Sequence, residues 1–438
     1  MASQQTGLFK QGMAALKAQK FAEAKKLFDE HEKKQGTAQE TLTLVKEAEA
    51  ATVAGRFPEA TSKFQQVLDR NPAIVESHLG MARIAIYRRQ VEEARVFANA
   101  AVRLAPQNPL SWTFLGLVHE ASGDLPGALP HLEKGAQLGR DNYLAQYNMG
   151  RLLLAQKKAG HGIPYLLRAV QLAPRNPDPL IAVGFAQVEI KQLELALDSL
   201  TRATRVAPGS LDAWASLADV QFSQQRYKDA LATLNAGLKA AGEHPALLEK
   251  AIACCMMLHD PVTAVTYSER SLKKAPSYKQ GWLNLARLAL MAGDGDKSIS
   301  AARQLLTLDP QNWEAWFHLG DVYDSIRDEA QAIDAYQKAL KGAPDNWKVL
   351  MNYATCLLQS ADAPKWDEAR RLLDKAAAVV PGGEFRVAYN LALAHVRLGD
   401  HFEALRLAKD IQARAAPNDP IRAEANKLER NLNEKRAS

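Results

Sequence analysis

Residues 251–260 read AIACCMMLHD and set Cys254, Cys255, Met256 and Met257 side by side, four sulfurs in four residues. Side chains of this kind can form a redox pair, a soft-metal site or a reactive thiol. Adjacent residues lie about 3.8 Å apart at Cα, under the roughly 4.4 Å usual for a disulfide, which disfavours a bond between Cys254 and Cys255. With Cys356 they make three cysteines in 438 residues, so a disulfide-built scaffold is not expected. The ten histidines are scattered, with no two at metal-ligand spacing on one helix face. The sequence holds no glycine-rich phosphate loop, no paired CxxC and no HExxH. GDGD at 293–296 could suggest a calcium loop. Gly123 with Asp124 and Gly399 with Asp400 occupy the same place in the pattern described next, which marks a turn instead. No catalytic residue, cofactor or metal follows from these motifs.

The elements that must hold these side chains come from a repeat. Prolines that follow an apolar helix end recur at Pro72, Pro106, Pro174, Pro208, Pro276, Pro310 and Pro344, at gaps of 34 or 68. The two missing beats fall on Arg140 and Gly242. Twelve residues before each proline stands a small residue: Ala60, Ala94, Gly162, Ala196, Ala264, Ser298 and Ala332. A further twelve back lies a second, at Ala48, Ala82, Gly150, Gly184, Ala286 and Gly320, with Ile252 as the exception.

Bulk composition is that of a folded protein, 47% hydrophobic and 24% charged. The net charge of +6 comes from 55 basic and 49 acidic residues with their signs interleaved. A concentrated basic stripe would announce nucleic acid; none is present, so no nucleic-acid partner is expected. The N-terminal lysines alternate with Glu23, Asp29, Glu30 and Glu32 and read as a solvated helix face. No segment approaches the roughly 18 apolar residues of a membrane span, so no membrane insertion is expected. The first twenty residues lack the apolar core of a signal peptide, and the expected compartment is the cytoplasm. A start that replaced a signal sequence would read the same way and would make the periplasm the alternative.

Residues 313–346, WEAWFHLGDVYDSIRDEAQAIDAYQKALKGAPDN, carry Trp316, Leu319, Gly320, Tyr323, Ala332, Tyr336, Ala339 and Pro344 at the offsets of the tetratricopeptide repeat family. The chain resembles that family over nearly its whole length, in about twelve units. The resemblance implies an all-α fold, a right-handed α-solenoid of 34-residue helix–turn–helix repeats. Small residues let the two helices of each unit approach, proline stops the second helix, and neighbours bury what one pair cannot. The expected organisation is a degenerate repeat over residues 1–38, a tandem array over 39–417 and a capping helix and tail over 418–438. Ile421, Ala425, Leu428 and Leu432 form the cap's apolar stripe.

The resemblance also implies that the first helix of each unit lines a concave groove. Numbered with proline at position 32, all seven tryptophans take structural positions, and Cys254, Cys255 and Cys356 face the packing core. Met256 and Met257, at positions 12 and 13, turn to the groove. The remaining groove candidates are Tyr147, Asn148, Arg151, Asn284, Arg287, Phe317, Lys348, Asn352, Arg386 and Asn390. Asparagine at position 6 is similar to the ladder in the superhelical arm of O-linked N-acetylglucosamine transferase, where an amide can pair with any peptide backbone. The ladder is broken at Lys10, Lys46, Gly80, Phe114, Ala182, Ser216, Lys250 and His318. The carboxylate clamp of the family's co-chaperones is not matched, because Phe317 and Asp321 stand where Lys and Asn are required. Unit eight, which holds the four sulfurs, departs most from the pattern and is predicted to bend or loosen the array.

The expected function is a non-catalytic scaffold that holds an extended peptide or partner segment in its groove. A self-assembling structural protein is one alternative, with self-association left open. The substrate-recruiting arm of a separate enzyme or secretion complex is the other.

Overall fold

A computed structural model describes residues 7–382 and 384–437, with side chains to residue 434. Among the described residues there are twenty-five α-helices and no strand. They run as twelve pairs, from Gly7–Lys17 with Phe21–Gln35 to Arg386–Arg397 with His401–Arg414, and end on the single helix Pro420–Ala437. The chain divides into two compact units, Met1–Gln225 and Arg226–Ser438. Each is an all-α solenoid in which a helix packs on its neighbours in the chain.

Local chemistry explains several of the helix boundaries. The GDGD run is the turn expected of it. Gly293 adopts the left-handed conformation with φ of 80°, and the Asp294 carboxylate accepts the Lys297 amide at 2.9 Å to cap the next helix. Asp124 and Asp400 cap in the same way, accepting from the Gly127 amide at 2.8 Å and the Glu403 amide at 3.1 Å. Asn142, Asn312 and Asn346 cap first helices.

The tryptophans at position 4 do a second task. Trp112, Trp214 and Trp282 donate through Nε1 to the carbonyls of Pro106, Pro208 and Pro276 at 2.8 Å, and Trp316 to Pro310 at 2.9 Å. His78 stands in for tryptophan with Nε2 at 2.8 Å from the Pro72 carbonyl. Each ring thus pins the start of one pair to the end of the pair before it.

Small residues mark where helices cross. A Cβ on Gly80 would lie 2.2 Å from the Phe64 ring, and one on Gly320 would lie 2.5 Å from the Tyr336 ring. Phe64 and Tyr336 are themselves fully buried. Burial of such a ring stabilises by about 2–3 kcal/mol. The final helix covers the last pair with Ala425, Leu428 and Leu432, all buried, as its apolar stripe predicts.

The four-sulfur stretch lies in the helix Pro245–Met257. Cys254 and Cys255 are 1% and 0% exposed, which makes them core residues. Burial, with the Asp260 carboxylate second, pushes the Cys255 thiol up to about 11, and burial with Asp324 pushes Cys356 up to about 12. Neither is a nucleophile near neutral pH. The irregular second helix still packs: Ser271 donates to Glu249 at 3.2 Å, and Tyr267 fills core space and donates to Asn235 at 2.6 Å. The predicted loosening is absent from this core. On the opposite face Pro245–Met257 and Lys279–Met291 approach each other less closely than the later first helices of this unit do.

Candidate functional site

Within each compact unit most first helices of successive pairs approach one another closely, from Ala38–Val53 to Leu211–Ser223 and from Lys279–Met291 to Arg386–Arg397, whereas second helices, apart from Phe21–Gln35 and Val91–Leu104, do not. First helices therefore crowd onto one shared face, and side chains at their exposed positions become neighbours across pairs. Three candidates, Tyr147, Asn148 and Arg151, lie in the Met1–Gln225 unit, and the other nine lie in the Arg226–Ser438 unit.

In the first unit the candidates are engaged by their own fold. Arg151 grips Glu120 of the preceding first helix with two parallel hydrogen bonds of 2.6 Å, the strong fork geometry of guanidinium on carboxylate. Asn148 is only 7% exposed and donates to the Leu144 carbonyl one turn back at 2.8 Å. Tyr147 stacks on Tyr143 with ring centroids 5.7 Å apart and planes 11° from parallel. Burial, with Asp178 nearby, holds the Tyr147 hydroxyl above its ordinary value and so protonated.

In the second unit Arg287, Phe317 and Lys348 come together. They line a cleft of about 470 Å³ with Trp313, Glu314, Asp345, Asn346 and Trp347. Arg287 reaches Glu314 only at 3.8 Å, and its side chain is 50% exposed. The Phe317 ring packs 6.1 Å from that of Tyr336. The Lys348 ammonium sits 5.5 Å over the Trp347 ring, a cation–π contact. Asp345 is drawn away to Lys375 at 3.0 Å, and the Asn346 side chain caps its helix by accepting from the Lys348 amide at 3.0 Å. The result is an aromatic-walled recess with charged groups at its mouth, the composition of a recognition pocket.

The same first helices also carry buried polar contacts. His318 takes the position-6 place of the asparagine ladder, and its Nε2 lies 2.8 Å from Ser298 Oγ, which donates to the Ala286 carbonyl at 2.8 Å. Burial, with the positive charge of Arg287 second, lowers His318 to about 4. Asp321 accepts from Asn352 at 2.9 Å and from the Tyr336 hydroxyl at 2.8 Å. Burial raises its carboxyl above the usual range against the pull of those two donors.

The remaining candidates stand apart from the cleft's lining. The Asn352 amide is committed to Asp321, a tie between successive first helices. Asn390 makes a similar tie, donating to Thr355 at 3.3 Å, and Asn284 accepts from Gln280 at 3.1 Å. Arg386 forks onto Glu384 with two bonds of 2.8 Å and holds that carboxyl below its ordinary range. Met256 is half-buried and Met257 is 48% exposed at the end of its helix. Sequence reasoning missed Trp313 and Trp347, which the register counted as structural. Their signal was tryptophan at position 1 of consecutive units, found only there.

Comparison with known proteins covers most of the chain. Residues 301–422 match the family described as "Cytochrome c-type biogenesis protein H TPR domain". Families described as "Tetratricopeptide repeat" match residues 45–109 and 115–177, 191–253 and 279–322. The chain is similar to DnaJ homolog subfamily C member 3 of Homo sapiens, 24% identical over 237 residues that make up 54% of this chain. It spans 43% of that relative's length. It is also similar to anaphase-promoting complex subunit 3 of Schizosaccharomyces pombe, 25% identical over 32% of this chain and 21% of that one. Among solved structures, the APC/C hetero-tetramer Cut9–Hcn1 aligns with 98% of this chain and 97% of its own at 11% identity, with a TM-score of 0.42.

Proposed function

From the premise that the chain belongs to the tetratricopeptide repeat family, a family of protein–protein interaction scaffolds, we propose that it is non-catalytic and holds an extended peptide or partner segment against its first helices. The observation that carries this reading is the cleft in which Arg287, Phe317 and Lys348 meet Trp313 and Trp347. Aromatic walls supply contact area at low entropic cost, and cations at the mouth orient a partner. The three-part division into residues 1–38, 39–417 and 418–438 and a cytoplasmic location belong to the same proposal, as does a partner that is protein rather than nucleic acid. Among the described residues no helix is long and apolar enough to cross a membrane.

The test is quantitative recovery of bound protein by the triple variant Arg287→Ala, Phe317→Ala, Lys348→Ala, with folding checked by circular dichroism. Loss of these contacts should lower recovery at least about tenfold, which needs only 1.4 kcal/mol. Unchanged recovery by a folded triple variant moves binding away from this face. A second reading, an arm that recruits substrates to a separate enzyme or assembly complex, is favoured by the match of residues 301–422 to a cytochrome c biogenesis domain. Stable co-purification with an enzyme separates it from the first.

A further inference from the structure

The cleft in the second unit is lined by charges of both signs, and the way they pair tells what it would accept. Glu314 has Arg287 at 3.8 Å, and Asp345 has Lys375 at 3.0 Å. Glu384, near Lys348, is held by the Arg386 fork. Each of these three carboxylates therefore has a cation of its own. Lys348 makes no ion pair among the described residues; its ammonium rests on the face of Trp347 instead. The cleft thus carries one unmatched positive charge beside a wall of Trp313, Phe317 and Trp347. Arg287 adds to this, because its pair is long and half its side chain is open to solvent.

We propose that this cleft selects an acidic peptide segment bearing an aromatic side chain, the ring entering between the tryptophans and a neighbouring carboxylate meeting Lys348 and Arg287. The inference rests on the groove reading above and deepens it. An incoming ring would find stacking and edge contacts against three aromatic side chains. A carboxylate would gain a charge-assisted bond to an ammonium that now has only a ring as partner. A basic segment would have to strip Glu314 from Arg287 or Asp345 from Lys375 before it gained anything. A nucleic-acid strand is disfavoured for a related reason: two acidic side chains line the recess, and one unmatched cation cannot track a phosphate backbone.

The experiment uses the full chain and fluorescein-labelled nonapeptides read by anisotropy. The first has a central phenylalanine flanked by aspartates, the second has alanine at its centre, and the third has lysines for aspartates; a labelled thymidine oligomer is the fourth probe. The acidic phenylalanine peptide should bind about tenfold or more tighter than each of the others, and added salt should weaken it. Lys348→Glu should weaken that peptide about tenfold. Lys341→Glu, the same charge change on an exposed lysine outside this cleft, should leave it within about twofold. Both positions are exposed, so both variants should fold, and circular dichroism checks that they do. The proposal is overturned if the lysine peptide or the thymidine oligomer binds as well or better, if no peptide binds, or if the two lysine variants behave alike. The groove reading fails separately, when the triple variant keeps its partner. If that variant loses its partner while the lysine peptide is preferred, only the acidic specificity is lost.

Discussion

Arg151 and Arg287 occupy the same position of two repeats, one in each compact unit, and they do different things. Thirty-one residues before Arg151 stands Glu120, and the arginine closes on it at 2.6 Å, tying first helix Tyr143–Ala155 to Pro109–Ala121. The same step back from Arg287 reaches Met256, which offers no carboxylate. There the first helices Pro245–Met257 and Lys279–Met291 approach less closely, and Arg287 turns forward to Glu314 at 3.8 Å. The ladder position does not distinguish them, since Asn148 and Asn284 stand three residues before the two arginines. An identical residue in an identical register is a structural clamp where the preceding pair supplies its counter-ion. It is a surface charge where the preceding pair does not.

The largest expected effect that sharpens this contrast concerns His318. Its pKa in the folded chain, about 4, lies below the ordinary 6.5 because it is buried and Arg287 is near. The folded state thus disfavours the proton. Stability is full above pH 6.5 and falls as pH drops from 6.5 toward 4, by up to about 3 kcal/mol. Urea denaturation of the chain and of His318→Gln at a series of pH values measures it. The variant should lose that slope; equal slopes would mean that His318 is not the group that titrates.

A smaller effect is expected from removal of the first unit's clamp. Glu120→Met, the residue the second unit has there, should destabilise by about 1–2 kcal/mol, since it strands a largely buried guanidinium. Thermal unfolding checks this, and a change near zero would make the clamp an ordinary surface pair. Smallest is the reverse exchange, Met256→Glu. It gives Arg287 a carboxylate behind it, so stability should rise by about 0.5 kcal/mol. Affinity for the acidic phenylalanine peptide should fall about threefold as Arg287 is drawn back. Unchanged affinity would show that Arg287 does not serve the cleft.

Much of this molecule was legible in its sequence because the period is short-range and redundant. The prolines, the Gly-Asp turns and the small residues at crossings each act within one or two helices, and the helix pairs fall where those residues predict. The cysteines were legible for the same reason, since a position that faces the core in one repeat faces it in all. The candidate contact residues were legible only as a set of directions. Asn352 and Arg386 spend their hydrogen bonds on Asp321 and Glu384, while Trp313 and Trp347, read as structural, line the cleft. A side chain's direction depends on its place in one helix. Its freedom to bind depends on what the next helix brings within hydrogen-bond reach.

By itself, then, the sequence determined the repeat, the all-α fold, the core positions and the capping helix, because each is set by local helix geometry and by burial that recurs at every period. Only the tertiary structure decided which polar residues are consumed as ties and which remain at a surface. That outcome turns on ångström-scale approach between helices about 31 residues apart. At Glu120 and Arg151 the approach is close enough for a fork of hydrogen bonds, whereas Arg287, with Met256 at the corresponding place, lines an open cleft with Phe317 and Lys348.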